Sequence, residues 1–99
     1  METFSIYVIY KAKDGCRKAF LEALEKEDIP ATVRAEDGCI RYDYYLPLDA
    51  ENDILLIEEW ESEEKQQIHV AQPHMARVRE LKPLYIEDTV LGKFKLIKD

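Results

Sequence analysis

Both histidines of the chain fall in one short stretch, Ile68-His69-Val70-Ala71-Gln72-Pro73-His74-Met75. It follows the only tryptophan, in Glu58-Glu59-Trp60-Glu61-Ser62. Imidazole titrates near neutral pH, so each His is a candidate acid, base or hydrogen-bond donor. His69 sits beside Ile68 at the edge of an apolar helical stripe, where it would line a cavity between helix and sheet. The alternative is a ring whose nitrogens are satisfied by backbone or water. His74 follows Pro73 at a helix start, where a surface or capping role competes with a contact to substrate. The two are five residues apart, not the i, i+4 spacing that sets two imidazoles on one metal. Neither a cysteine nor a clustered carboxylate completes a ligand set in the sequence, so no metal is expected.

Glu58 and Glu59 point to opposite faces of a strand, because the side-chain period there is two. Glu58 shares its face with Leu56 and Trp60 and is the inward candidate. A carboxylate in an apolar setting either pairs, here with Arg41 or another Arg, or has a raised pKa, and such groups mark functional sites. The chain has no GxGxxG, Walker loop, CxxC or nucleophile elbow. An enzyme built on it is therefore expected to use no nucleotide or metal cofactor.

The elements that must position these residues come from periodicity. Thr3 to Ala12 is apolar on both sides, with Phe4, Ile6, Val8 and Tyr10 on one face and Tyr7 and Ile9 on the other. Asp14 and Gly15 break it, and Asp14 can cap a helix with the stripe Cys16, Phe20, Ala23 and Leu24. Pro30 suits the first turn of a short second helix begun by Asp28, anchored by Ile29 and Val33 and stopped by Gly38. Cys39 to Leu46 alternates again, with Ile40, Tyr42, Tyr44 and Leu46 on one face. A turn over Pro47 to Asp53 leads to a third strand, Asp53 to Glu61. Ser62 caps a helix to about Ala71, with Glu63 and Glu64 in its first turn. Pro73 restarts the helix, Pro83 stops it, and the last strand runs roughly from Glu87 to Lys98, with Gly92 at a bulge or close backbone approach.

The order strand, helix, strand, strand, helix, strand is the split βαβ pattern. The expected fold is α+β and ferredoxin-like, a four-stranded antiparallel sheet with helices on one face, in a single domain over residues 1–99. Two helical segments cover only one face, yet the first and third strands are apolar on both. A large bare apolar patch is rare on a soluble monomer, so a homodimer packed sheet to sheet is expected. The 99 residues carry a net charge of −7, which argues against nucleic acid and against an anionic membrane as partner. Neither a signal peptide nor an apolar run long enough to span a bilayer is visible, so a cytoplasmic location is expected, with Cys16 and Cys39 as free thiols.

Three segments taken in order, Ala35-Glu36-Asp37-Gly38-Cys39-Ile40-Arg41-Tyr42-Asp43, Ile57-Glu58-Glu59-Trp60-Glu61 and His69-Val70-Ala71-Gln72-Pro73-His74, resemble the antibiotic biosynthesis monooxygenase family. The resemblance implies a dimeric α/β-barrel and a substrate site between sheet and helices. It also implies, as in some members, oxidation of a quinol or phenolic small molecule by dioxygen with no metal or flavin. His69 would then be the catalytic base or hydrogen-bond partner. Trp60 would shape the cavity, and Tyr7 and Ile9 would look into it if their face is the helix side; Glu58 and His74, singled out above from the residues, are the further candidates for binding substrate. Haem-degrading members use an Asn, a Trp and a haem-ligating His; Ile9, His69 and Arg79 stand near those places and do not match. A third branch isomerises a phosphorylated dione signal molecule and shares the H-x-x-x-P-H helix; Arg41, Arg77 or Arg79 would have to supply its anion site. A non-catalytic small-ligand or stress-response module is the remaining alternative.

Overall fold

The computed structural model describes residues 2–97. The elements run β1 (Phe4–Ala12), α1 (Arg17–Lys26), α2 (Ile29–Arg34), β2 (Cys39–Tyr45), β3 (Asp53–Trp60), α3 (Glu63–Val70), α4 (Pro73–Tyr85) and β4 (Ile86–Phe94). The four strands form one antiparallel sheet in the order β2-β3-β1-β4, the ferredoxin-like arrangement. No helix among the described residues is long and apolar enough to cross a membrane.

The register separates two faces. On one, Val8, Tyr10 and Ala12 of β1, Tyr42 of β2 and Ile54, Leu56 and Trp60 of β3 join Phe20, Leu24, Ile29, Val33, Val78 and Leu81 in the core. The helices pack on this side. The other face carries Tyr7 opposite Ile57 and Gly92, Ile9 opposite Leu55 and Val90, and Ser5 opposite Glu59 and Phe94. No helix among the described residues covers it: Val90 and Tyr45 are 36% and 41% exposed.

Several local expectations need correction. Asp14 does not cap α1, whose N-cap is Cys16 without a side-chain bond; the Asp14 carboxylate accepts from Asn52 instead, at 3.4 Å. Ile40 does not join Tyr42 and Tyr44 in the core. The β2–β3 register slips between Cys39 and Arg41, so the extra residue, Ile40, is turned outward and Cys39 packs inward. Pro83 does not end α4, which continues to Tyr85. The β1–α1 connection takes up the last-turn carbonyls, with Lys13 Nζ donating to Pro83 O at 2.7 Å and Lys13 N to Tyr85 O at 2.8 Å. β4 consequently starts at Ile86 and ends at Phe94, short of Leu96; Lys98 lies outside the described residues.

Candidate active site

Three connections bring the polar residues together. Ser62 caps α3 as expected, its hydroxyl accepting from Lys65 N at 3.2 Å, and this fixes the rotation of the helix that carries Gln66 and His69 inward. The helix ends where Ala71 N bonds Ile68 O and Gln72 N bonds His69 O. Pro73, in the first turn of α4, then restarts it and turns His74 back toward His69. The loop after α2 supplies Glu36, held by its own N–H on Val33 O at 3.0 Å and by Cys39 N on its carbonyl at 3.2 Å. That loop reverses at Gly38, whose φ of +88° is left-handed and whose missing side chain leaves room for the Lys65 stem.

The Glu36 carboxylate takes both imidazoles on one oxygen. Oε2 is 2.8 Å from His69 Nδ1 and 2.7 Å from His74 Nε2. His69 is only 2% exposed. Its ring stacks on Trp60 at 4.6 Å between centroids and meets Tyr42 edge-on at 5.8 Å. The far nitrogen, Nε2, faces Glu58 Oε1 at 4.0 Å, beyond hydrogen-bond range. That same oxygen accepts from Trp60 Nε1 at 3.0 Å.

Burial pushes the Glu58 carboxyl up to about 7, against the lowering effect of the Trp60 N–H and with the help of the Glu36 charge. Burial lowers the His69 pKa, opposed by the bond and the charge of Glu36. Glu58 does not pair with Arg41. Register sets Arg41 opposite Glu59 and Tyr42 opposite Glu58, so the two lie on opposite faces. Arg41 bonds Asp43 at 3.2 Å and the Tyr45 hydroxyl.

Beside this buried cluster a groove of about 380 Å³ opens between α3 and the β1–β4 edge, lined by Phe4, Ile6, Gln66, Leu91, Gly92 and Lys93. Phe4 and Ile6 are the cross-strand partners of Trp60 and Glu58, and Gln66 lies one helical turn before His69. Trp60 and Glu58 therefore lie one strand away from the groove's lining and His69 one helical turn from it, while His74 is joined to them through Glu36. Tyr7 does not join them: its face is the open one, over Gly92 and next to Phe94 at 6.5 Å. Glu36 is the member of this cluster that the residue pattern does not point to. Its one available signal was a carboxylate just ahead of a glycine turn, in a connection where functional side chains concentrate. The helix break at Ala71–Gln72 brings both imidazoles to one carboxylate, with all three candidate ligand atoms within 4.8 Å of one another.

Solved structures of the same fold include PA3566 from Pseudomonas aeruginosa, 19% identical with a TM-score of 0.85, covering 99% of this chain and 97% of that one. SO0527 from Shewanella oneidensis is 22% identical with a TM-score of 0.84, covering 96% and 91%. Rv0793 from Mycobacterium tuberculosis is 22% identical with a TM-score of 0.82, covering 99% and 98%. At these identities they share the fold alone. No curated protein matches the chain. The sequence profile for antibiotic biosynthesis monooxygenase matches residues 3–81, so the chain belongs to the antibiotic biosynthesis monooxygenase family.

Proposed function

We propose that the protein is a cytoplasmic, dimeric oxygenase that oxidises a quinol or phenolic small molecule held in the groove between α3 and the β1–β4 edge. The balance is SH2 + O2 → SO + H2O. The substrate supplies both electrons that reduce the second oxygen atom to water, so the reaction asks of the protein only a base, a shaped pocket and exclusion of bulk water. Glu58 and His69 are that base. The substrate reaches them by displacing the Gln66 side chain, one of them takes the phenolic proton, and the electron-rich anion reacts with dioxygen. Trp60 packs its ring at a 34° tilt against the imidazole and donates to Glu58, which fixes the pair. Glu36, on Nδ1, orients His69 with its basic nitrogen toward Glu58, the arrangement by which a carboxylate sets the tautomer of a catalytic His. His74 shares the Glu36 oxygen and stands at the solvent side of the cluster.

The observation that carries the reading is a buried carboxyl and a buried imidazole facing each other behind an apolar groove, in a chain of this family. The isomerase alternative has less support. Arg77 is held by Glu27 at 2.9 Å, Arg79 donates to Val70 O at 3.3 Å and Arg41 is on the far face, so none lines the groove. Oxygen uptake over a panel of hydroquinones tests the proposal, with wild type against Glu58→Gln and His69→Gln. Loss of a positioned base lowers the rate by about 10²–10⁴-fold. Equal rates in all three proteins remove the pair from the mechanism. Turnover without oxygen uptake selects the isomerase, and ligand-dependent melting without turnover selects a binding module.

A further inference from the structure

We propose that Glu36, His69 and His74 form a binding site for one divalent transition ion of the zinc class. Two segments remote in sequence converge there: the loop after α2, and the α3–α4 junction with His69 in the last turn of α3 and His74 in the first turn of α4. Two imidazole nitrogens and one carboxylate oxygen suit ions of intermediate softness, and three protein ligands leave positions open for water or a small ligand.

The distances fit an ion. Donors bound at about 2.1 Å stand about 3.0 Å apart at right angles and about 3.4 Å apart in a tetrahedron. The present separations from the shared oxygen are 2.8 and 2.7 Å and all three donors lie within 4.8 Å of one another, so an ion asks the rings to withdraw from the oxygen by about 0.2–0.7 Å and to settle at the same spacing from each other. Both nitrogens already aim at that oxygen. As hydrogen bonds, these contacts require a proton on each nitrogen, and an ion replaces those two protons.

A second observation stands on the other side of His69. A metal-bound imidazole typically donates its remaining N–H to a carboxylate, which fixes the ring and raises its basicity. Glu58 is the carboxyl that Nε2 faces, at 4.0 Å, so a shift of about 1 Å closes that bond, and Trp60 Nε1 already holds its Oε1. Access also fits. His69 is sealed in the core, with its side chain 2% exposed, whereas Glu36 and His74 are 13% and 19% exposed, so the ion enters from the His74 side. Other neighbouring groups are Tyr42 against His69 and the Cys39 thiol, which burial and the Glu36 charge push up to about 11 and so keep protonated.

The proposal does not rest on the oxygenase reading, and its test uses the ion alone. It does bear on that reading: an ion on Nδ1 moves the ring proton to Nε2 and leaves Glu58 as the only base of the pair. Tag-free protein is stripped with chelator and titrated with Co(II) in visible absorption, then with Zn(II) in competition. The result expected is d–d absorption that saturates at one equivalent per chain and is displaced by Zn(II). His74→Ala is the main variant, because that ring lies at the edge of the cluster and its loss leaves the core intact. It should weaken binding by more than about 100-fold, past the 10–100-fold typical of losing an outer-shell partner. Glu36→Gln, which keeps an oxygen for both imidazoles, should weaken it likewise while its melting temperature without metal stays near wild type. Absence of Co(II) absorption in wild type, or equal stoichiometry and affinity in wild type and both variants, overturns the proposal.

Discussion

At the scale of single residues, Glu58 decides most. An ordinary glutamate ionises near 4.5, whereas in the fold this one keeps its proton to about 7 because it is buried. Between those two values the folded chain holds a proton that the unfolded chain has released. The stabilisation is therefore fully present below pH 4.5 and is lost as pH rises through 7. A shift of this size corresponds to roughly 3 kcal/mol at 1.36 kcal/mol per unit. Glu58→Gln keeps an oxygen for Trp60 Nε1 and removes the charge. In chelator, the stability of wild type minus that of Glu58→Gln, measured by urea unfolding, should fall by that order between pH 5 and pH 8. A difference that stays flat across the window means that Glu58 is solvated. The inward aim of Glu58 was legible from strand parity with Leu56 and Trp60. Its partner was not, because the face that Arg41 takes depends on a register slip that alternation alone does not reveal. Glu36 was less legible still. Its place follows from a left-handed turn at Gly38 and from a helix break thirty-odd positions on, and no local pattern encodes the meeting of the two.

At the scale of elements, period and capping carry the fold. Ser62, Pro30 and Pro73 start helices where their chemistry says they should. Pro83 shows the limit: a proline removes only its own donor to the carbonyl four residues back, so the helix runs on to Tyr85, and Lys13 then takes up the last-turn carbonyls of Pro83 and Tyr85. Gly92 marks neither a bulge nor a close backbone approach, since the β1–β4 register shifts only between Lys11 and Ala12 and what comes near the glycine is a side-chain ring. It pairs in register with Tyr7, and a Cβ there would lie 2.3 Å from the Tyr7 ring. The tyrosine ring thus covers the glycine across the strand pair, a contact that supplies packing the glycine lacks. Gly92→Ala should displace the ring and cost about 1–3 kcal/mol, the usual range for an added methyl in a packed site. In a Tyr7→Val background the same change should cost under about 0.5 kcal/mol, since the obstructing ring is gone. Equal costs in the two backgrounds, from urea melts of the four proteins, would show that the ring and the glycine are not coupled.

At the scale of the whole molecule, the missing layer is the main fact. The principal extents are 41 × 31 × 18 Å, and the short one is the depth of a sheet plus one layer of helices. The open face is greasy at its centre, with Tyr7, Ile9, Leu55 and Ile57 side by side and Val90 and Phe94 next to them on β4. Ion pairs mark its edges: Lys11 with Asp53 at 3.3 Å and Arg41 with Asp43 at 3.2 Å. A specific interface removes about 800 Å² from each partner, which one sheet face of this size can supply. The proposed dimer joins two such faces, and two features make it testable. Each chain carries −7, so association works against long-range repulsion that salt screens, and the dimer should tighten as ionic strength rises. Ile57 stands between Tyr7 and Asp43 at the middle of the face and away from the helix-side core. Ile57→Glu should therefore leave the circular dichroism of the chain intact while sedimentation shows it as a monomer at micromolar concentration, where wild type sediments as a dimer. A monomeric wild type under those conditions ends the dimer proposal and leaves an apolar face without a reason. An Ile57→Glu variant that still sediments as a dimer would mean that the two copies meet through some other surface.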